Sequence, residues 1–411
     1  MKYNYNKEPL KSLSIKPFLS MVSDRNQVIE KAQAVMPQSE FNANHLAKSL
    51  HPQVQHVKIK KIFDHGDAKS FVLRPDQTKG TDSLAYFRAG QYVSVFLDFE
   101  GGCMNKPYAI RSNPADALGG EDNQYILTVK RNNPGFGSSY MLDHLKEGDP
   151  LDISGPLGEF YYQKFRDARD VVALAGGSGI TPFYSMAAAI AADIEDFNLT
   201  ILYGSRTSEG ILLKEELEQI EKQSAGKVRV VHVLSDEEKD GFEHGFLTAE
   251  LIKKYAPSDR TYSLFMCGPK AMYEFGTKEA EKLKLRRRFV RKELPGDCSN
   301  PEKNPDYPKE AAGKTFQIRV HISGEVREIQ AASGQTLLQA MERAHIKAPS
   351  HCRSGECGWC HSKLLSGSVY IPQDADGRRM ADLKFGWIHP CATYATGDVE
   401  LEVYPVMEEL G

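Results

Sequence analysis

Four cysteines set the chemistry of this chain. Cys352, Cys357 and Cys360 stand at C-x4-C-x2-C within HCRSGECGWCH (His351–His361), and Cys391 follows 31 residues after Cys360. A loop giving three thiolates and a distant segment giving the fourth is the plant-type spacing of a [2Fe–2S] cluster. Such a loop turns sharply and points N–H groups at sulfur, and Gly355 and Gly358 tolerate the left-handed backbone this requires. A zinc knuckle would pair C-x2-C with a second close pair, whereas Cys391 stands alone. The spacing predicts one cluster, ligated by Cys352, Cys357, Cys360 and Cys391.

The rest of the chain has to position that loop and feed it. At 411 residues it is long enough for several cores, and 41% hydrophobic with 26% charged residues is ordinary for a globular protein. A net charge of −3 argues against a general nucleic-acid binder. The remaining cysteines, Cys103, Cys267 and Cys298, form no pattern, which suits a reducing compartment better than a disulfide framework. MKYNYNKEPLKSLSIK lacks the apolar core of a secretory signal, and no run of 18 apolar residues occurs. A cytoplasmic protein without a membrane span is expected; peripheral membrane association is left open.

Residues 1–52 read as a helical N-terminal extension. Asp24 is expected to cap a helix with Val28, Ile29, Ala32, Val35 and Met36 on one face, stopped by Pro37, and a second segment runs from Ser39 to Leu50. Residues 53–165 change to short alternating runs (HVKIKKIF, KSFVLR, GQYVSVFLDF, QYILTVKR, PLDISG), the pattern of a small antiparallel β-barrel. It holds two candidate flavin segments, Lys106–Ile110 and Pro134–Tyr140. In the second, a turn at Gly135 and Gly137 leads into a helix and would offer N–H groups to a phosphate.

Residues 166–295 alternate strands and helices, predicting a doubly wound parallel sheet with ligands at the carboxyl ends of its strands. Those ends are Gly176–Thr181, Gly204–Arg206, Ser235–Asp236 and Cys267–Pro269. The turn after the first strand, AGGSGITP, departs from G-x-G-x-x-G, which disfavours an ordinary Rossmann dehydrogenase. The basic run Lys282–Lys292 reads as a solvated helix end entering a strand. A Pro-rich stretch, residues 296–312, reads as a semi-rigid linker. In residues 313–411 a hairpin turning at Ser323-Gly324, the helix GQTLLQAMERAHI, the cysteine loop and the strand DVELEV predict a β-grasp domain.

Together these segments resemble the ferredoxin–NADP reductase superfamily, in the branch with a C-terminal plant-type ferredoxin, over about residues 54–411. The family's R-x-Y-S flavin segment is Lys106-Pro107-Tyr108-Ala109 here. Lys106 keeps the charge without the bidentate fork, and Ala109 lacks the serine hydroxyl. The resemblance implies a flavin site of Lys106, Pro107, Tyr108, Ala109, Val129, Gly135, Gly137 and Ser138, holding FAD more readily than FMN. G-G-[ST]-G-I-T-P is matched by Gly176–Pro182, and C-G-P by Cys267-Gly268-Pro269. The nicotinamide set it implies is Gly176, Gly177, Gly179, Thr181, Pro182, Ser205, Arg206, Asp236, Cys267, Gly268 and Pro269, with Cys267 and Thr181 at the reacting ring. NADP-specific relatives place Ser-Arg where this chain has Ser235-Asp236, so NADH is expected.

The resemblance implies a reductase that passes electrons from NADH through flavin and the cluster to a protein acceptor, an oxygenase or another reductase component. The alternative is a self-sufficient NADH dehydrogenase reducing quinones, flavins or ferric chelates. A redox-sensing role is disfavoured, because a complete nicotinamide site would be superfluous to it.

Overall fold

The computed structural model describes residues 51–120, 123–132, 136–293 and 301–404, with scattered helical residues between 20 and 50. Residues 1–48 form a unit of their own, in which helical backbone is described at 23–27 and 46–47. Asp24 lies inside that helical backbone, not at a cap. Val28, Ile29, Ala32, Val35, Met36 and Pro37 lie outside the described residues.

Period-two alternation after residue 53 folds as strands β1 (Gln55–Asp64), β2 (Ala68–Pro75), β3 (Tyr92–Phe99), β4 (Gly102–Ala109), β5 (Tyr125–Lys130) and β6 (Pro150–Ile153). They pair in the order β4-β3-β6-β1-β2-β5. A bridge between Ile110 and Leu127, and the Arg111 N–H donating to the Ile126 carbonyl at 2.8 Å, join the two outermost strands. The sheet thereby closes into a barrel around Val57, Phe71, Val93, Leu127 and Ile153. β4 is a strand that the alternation does not reveal: Gly102, Asn105 and Pro107 are poor strand formers, and Pro107 is tolerated where a strand lacks one neighbour. Helix α1 (Phe136–His144) follows β5. Gly137, expected in a turn, already lies inside this helix, while Pro134 and Gly135 lie outside the described residues.

The next sheet is parallel: β7 (Asp170–Gly176), β8 (Asn198–Ser205), β9 (Val228–Leu234), β10 (Glu243–His244), β11 (Tyr262–Cys267) and β12 (Val290–Lys292), ordered β10-β9-β8-β7-β11-β12. Helices α2 (Thr181–Ala191) and α3 (Lys214–Gln223) pack on one face, α4 (Ala249–Tyr255) and α5 (Lys270–Lys282) on the other. β7 is buried along its whole length, as a strand covered on both faces must be. Helix α3 starts only at Lys214, because Leu213 sits at φ 60° and Ile211 to Leu213 are buried in the core. The order reverses between β7 and β11, and the crevice of such a fold opens at that reversal.

The C-terminal domain is a mixed sheet of β13 (Thr315–Ile322), β14 (Glu325–Ala332), β15 (Ser362–Tyr370), β16 (Trp387–Ile388) and β17 (Tyr394–Val403), ordered β14-β13-β17-β15-β16. Ser323 and Gly324, both at positive φ, make the β13–β14 turn. Helix α6 (Leu337–Arg343) begins with a capping box between Thr336 and Gln339 and buries Leu337, Leu338 and Met341. A short helix, α7 (Met380–Phe385), precedes β16. Of the stretch expected as a linker, residues 296–300 lie outside the described residues and the rest is packed. Pro301, Tyr307 and Ala311 are buried, and Tyr307 packs edge-on against Tyr370 at 5.0 Å, so this segment belongs to the domain that follows. Composition signals a linker, but one buried tyrosine is enough to fix it.

Candidate functional site

The cysteine loop has the form its spacing requires. Gly355 and Gly358 adopt φ 82° and 72°, and a side chain on Gly355 would run into the Ala375 backbone. The loop turns its N–H groups inward: Ser354 and Cys357 donate to Cys352 Sγ at 3.5 and 3.4 Å, and Gly355 donates to Cys391 Sγ at 3.3 Å. Cys360 Sγ and Cys391 Sγ lie 3.3 Å apart. The crowded thiols shift one another: Cys357 and Cys391 hold Cys352 well below the ordinary thiol range, and Cys352 pushes both of them above it. Converging sulfurs inside a ring of donors fit a cluster that carries negative charge on sulfur.

At the sheet reversal the ends of β7 and β11 touch. A Cβ on Gly179 would overlap the Cys267 carbonyl and sit 2.7 Å from the Gly268 nitrogen; one on Gly176 would meet Met272 Sδ at 2.6 Å. GGSGITP and CGP are therefore halves of one surface, closed by a Tyr203 hydroxyl donating to the Gly177 carbonyl at 3.0 Å. Thr181 and Pro182 start α2, and the Thr181 hydroxyl donates to the Ser178 carbonyl at 3.0 Å. Burial raises the Cys267 thiol above its ordinary range, leaving it a neutral group that fills space. Replacing Gly179 by Ala is expected to lower kcat/KM for NADH about 100-fold, the cost of displacing a reacting ring by about 1 Å. Steady-state kinetics with ferricyanide and a spectrum showing flavin still bound would check it.

Ser205, Arg206 and Asp236 gather at the neighbouring strand ends. Arg206 Nε donates to Asp236 at 2.7 Å, and Ser235 Oγ donates to the same carboxylate at 2.6 Å. The Ser235 hydroxyl and then Arg206 draw the Asp236 carboxyl below its usual range. The arginine that could receive a 2′-phosphate is thus already held by a carboxylate. Asp236→Ala is expected to raise kcat/KM for NADPH about tenfold by removing the repulsion and releasing Arg206, an effect that fades with salt. Competition kinetics between the two nucleotides measure it.

In the barrel, Lys106, Pro107, Tyr108 and Ala109 are half-buried along β4. A Cβ on Gly137 would lie 3.7 Å from the Lys106 stem, so β4 runs beside the amino-terminal end of α1, where Ser138 is buried. Unsatisfied N–H groups next to an ammonium suit a pyrophosphate. Val129 is fully buried in the barrel core, opposite Lys69 in the β2–β5 ladder.

Several residues at this junction were not legible from spacing. Ser94 on β3 lies 3.2 Å from His351 Nδ1, one residue before Cys352. Burial pushes His351 down to about 4, so it meets Ser94 as a neutral ring. The Tyr92 phenol is raised by burial first and then by the charges of Cys357 and Cys352, which puts the barrel strand within electrostatic reach of the cluster loop. Glu293, just after β12, acts electrostatically on Cys267 and Tyr273. Nothing in the charged run around it sets Glu293 apart by sequence.

Arg353, 1% exposed, forms a two-pronged pair with Glu342 of α6, its Nη2 donating to Oε2 at 2.9 Å. Its Nη1 also donates to the Asn105 carbonyl of β4 at 3.0 Å. Asn105 Nδ2 donates to the Ser350 carbonyl, and Lys347 pairs with Asp98 at 3.1 Å. The cysteine loop is therefore seated on the β3–β4 edge of the barrel.

Three family models cover the described domains in order: an oxidoreductase FAD-binding domain over residues 61–162, an oxidoreductase NAD-binding domain over 173–278, and a 2Fe-2S iron-sulfur cluster binding domain over 320–396. The chain is 27% identical over 336 residues to the ferredoxin reductase component of 3-ketosteroid-9-alpha-monooxygenase from Rhodococcus rhodochrous, covering 80% of this chain and 91% of that protein. To the glycine betaine monooxygenase reductase subunit of Pseudomonas aeruginosa it is 25% identical, over 90% and 98%. Phthalate dioxygenase reductase superposes with a TM-score of 0.60 at 25% identity, over 85% of this chain and 98% of that one. The chain belongs to the ferredoxin–NADP reductase superfamily, in the branch that ends in a [2Fe–2S] ferredoxin domain. Its cofactors are FAD and one [2Fe–2S] cluster, and NADH is its electron donor. No helix among the described residues is long and apolar enough to cross a membrane.

Proposed function

We propose that this protein is the reductase component of an oxygenase system, taking hydride from NADH and delivering single electrons from its ferredoxin domain to a separate oxygenase protein in the cytoplasm. The observation that carries this reading is the seating of the cysteine loop on the flavin barrel through Arg353, Asn105 and the Ser94–His351 contact. An electron route between the barrel and the loop needs no domain rearrangement in that arrangement.

When bound, flavin supplies the exchange between a two-electron hydride and one-electron carriers. The residues of the chain position and shield. Gly176 to Pro182 and Cys267 to Pro269 form one surface that would receive the nicotinamide ring, where the neutral Cys267 would exclude water. Lys106 and the start of α1 would hold the flavin phosphates, and Tyr108 would cover the ring system. Asp236 selects NADH through the ribose hydroxyl and keeps Arg206 occupied. Cys352, Cys357, Cys360 and Cys391 would hold the two irons, with the N–H groups of the loop donating to the sulfurs.

The test is anaerobic turnover of the intact protein with NADH, comparing a one-electron protein acceptor with small acceptors. Protein acceptor reduction through the cluster at a rate matching NADH oxidation supports the reading. Quinone or ferric-chelate reduction that outpaces every protein acceptor, and that persists when the cluster is absent, would instead make the protein a self-sufficient dehydrogenase.

A further inference from the structure

The two sides of the cysteine loop are not alike. Cys352 lies against the barrel: its neighbour His351 contacts Ser94 of β3, and its other neighbour Arg353 donates to the Asn105 carbonyl of β4. Cys360, by contrast, leads to α7 through its neighbour His361. His361, next to Cys360, bonds Asp382 of α7 at 2.9 Å and stacks on Trp387 at 4.3 Å; Trp387 in turn lies 5.5 Å from Tyr404.

Helix α7 buries none of its residues, although half of them are large and apolar. Met380, Leu383 and Phe385 are 88%, 53% and 54% exposed. Isolated exposed apolar residues are ordinary, but three on one six-residue helix beside a redox centre form a patch that water alone does not explain. A groove of about 350 Å³ continues it, lined by Trp359, Trp387 and Tyr404 among others. Of the acidic side chains nearby, Asp382 bonds His361, Asp376 pairs with Arg378, Asp374 pairs with Lys270 and Glu402 accepts from the Tyr404 hydroxyl, while Glu356 is exposed. Arg379 and Lys384 remain exposed beside the apolar side chains, giving the patch a basic rim.

We propose that the α7 face is the surface on which the electron acceptor docks, and that the acceptor is a redox protein whose cofactor edge is apolar and ringed by carboxylates. The proposal rests on the reductase reading above. The barrel contacts flank Cys352 and α7 flanks Cys360, so electrons enter near Cys352 and leave past Cys360 and His361. The apolar centre supplies the close contact that electron transfer needs, and the basic rim steers an acidic partner and fixes its register. Each NADH, on forming NAD⁺ and one proton, yields two electrons, so two one-electron acceptors are reduced per NADH.

The test uses the intact holoprotein with cytochrome b5, whose haem edge is ringed by carboxylates, and cytochrome c, whose edge is ringed by lysines. Wild-type protein should reduce cytochrome b5 faster than cytochrome c at low salt, with a rate that falls as salt rises. The double variant Leu383→Gln/Phe385→Gln should weaken cytochrome b5 binding, measured by thermophoresis, and slow its reduction, each at least tenfold. Bleaching of the cluster by NADH and ferricyanide turnover should stay unchanged. Lys384→Glu should slow cytochrome b5 and speed cytochrome c. Unchanged cytochrome b5 binding and reduction in both variants would overturn the proposal. So would sedimentation showing a wild-type dimer that the double variant splits, since a second copy would then occupy the face. A failure of the reductase reading looks different: NADH would not bleach the cluster in wild-type protein.

Discussion

Replacing Cys391 by Ser is expected to cost at least 100-fold in anaerobic, NADH-driven reduction of a one-electron protein acceptor, while ferricyanide reduction stays within about twofold of wild type. Cys391 Sγ is buried, lies 3.3 Å from Cys360 Sγ and accepts the Gly355 N–H. A serine oxygen is a harder, shorter ligand, and it leaves that N–H aimed at a position the oxygen does not reach. Iron per chain should fall well below two, with FAD content unchanged, because the barrel and the parallel sheet have cores of their own. Metal analysis and visible spectra of anaerobically purified protein decide the point. Finding zinc in place of iron in the wild-type protein would undo the cluster assignment, and protein acceptor reduction that survives the substitution would place the electron exit elsewhere.

That expectation is legible in the sequence alone, because cluster ligation is written locally. Three cysteines in nine residues with glycines between them leave few other foldings of the loop, and Gly355 and Gly358 do take the left-handed backbone. The parallel sheet was legible for a similar reason. Strands buried on both faces read as unbroken apolar runs, and β7 is one. Legibility failed where burial is decided by distant partners. β4 carries Gly, Asn and Pro and becomes a strand because β3 offers it an edge. Tyr307 sits in a proline-rich stretch that reads as linker until Tyr370 and Tyr394 are placed beneath it. Arg206 and Asp236 are 30 residues apart, and only the parallel register of β8 with β9 brings them within 2.7 Å. Asn105 and Arg353 are 248 residues apart, and no local pattern announces their contact.

That last contact carries the other large effect. Arg353→Met is expected to destabilise the ferredoxin domain by about 3–5 kcal/mol, because it strands the Glu342 carboxylate in a buried site. Glu342 also lies 3.4 Å from the Asn105 N–H, a neutral donor too weak to replace the guanidinium. Arg353→Met/Glu342→Met removes both charges, and a pair of apolar side chains of similar volume should restore most of the lost stability. If the ion pair served the domain's stability alone, the double variant would also recover the rate of cluster reduction by NADH. The structure argues that it will not. Arg353 Nη1 donates across the interface to the Asn105 carbonyl of β4, and a methionine has nothing to offer that oxygen. With the clamp gone, Lys347–Asp98 is left as the charged tie between loop and barrel, and its two side chains are 77% and 60% exposed, so it holds little. The double variant should therefore melt near wild type in calorimetry yet transfer electrons from NADH to the cluster about tenfold more slowly in stopped flow, a loss of the order expected when a docked geometry becomes one of several. Recovery of stability and rate together would mean that Arg353 holds the ferredoxin domain together and leaves its docking to other contacts.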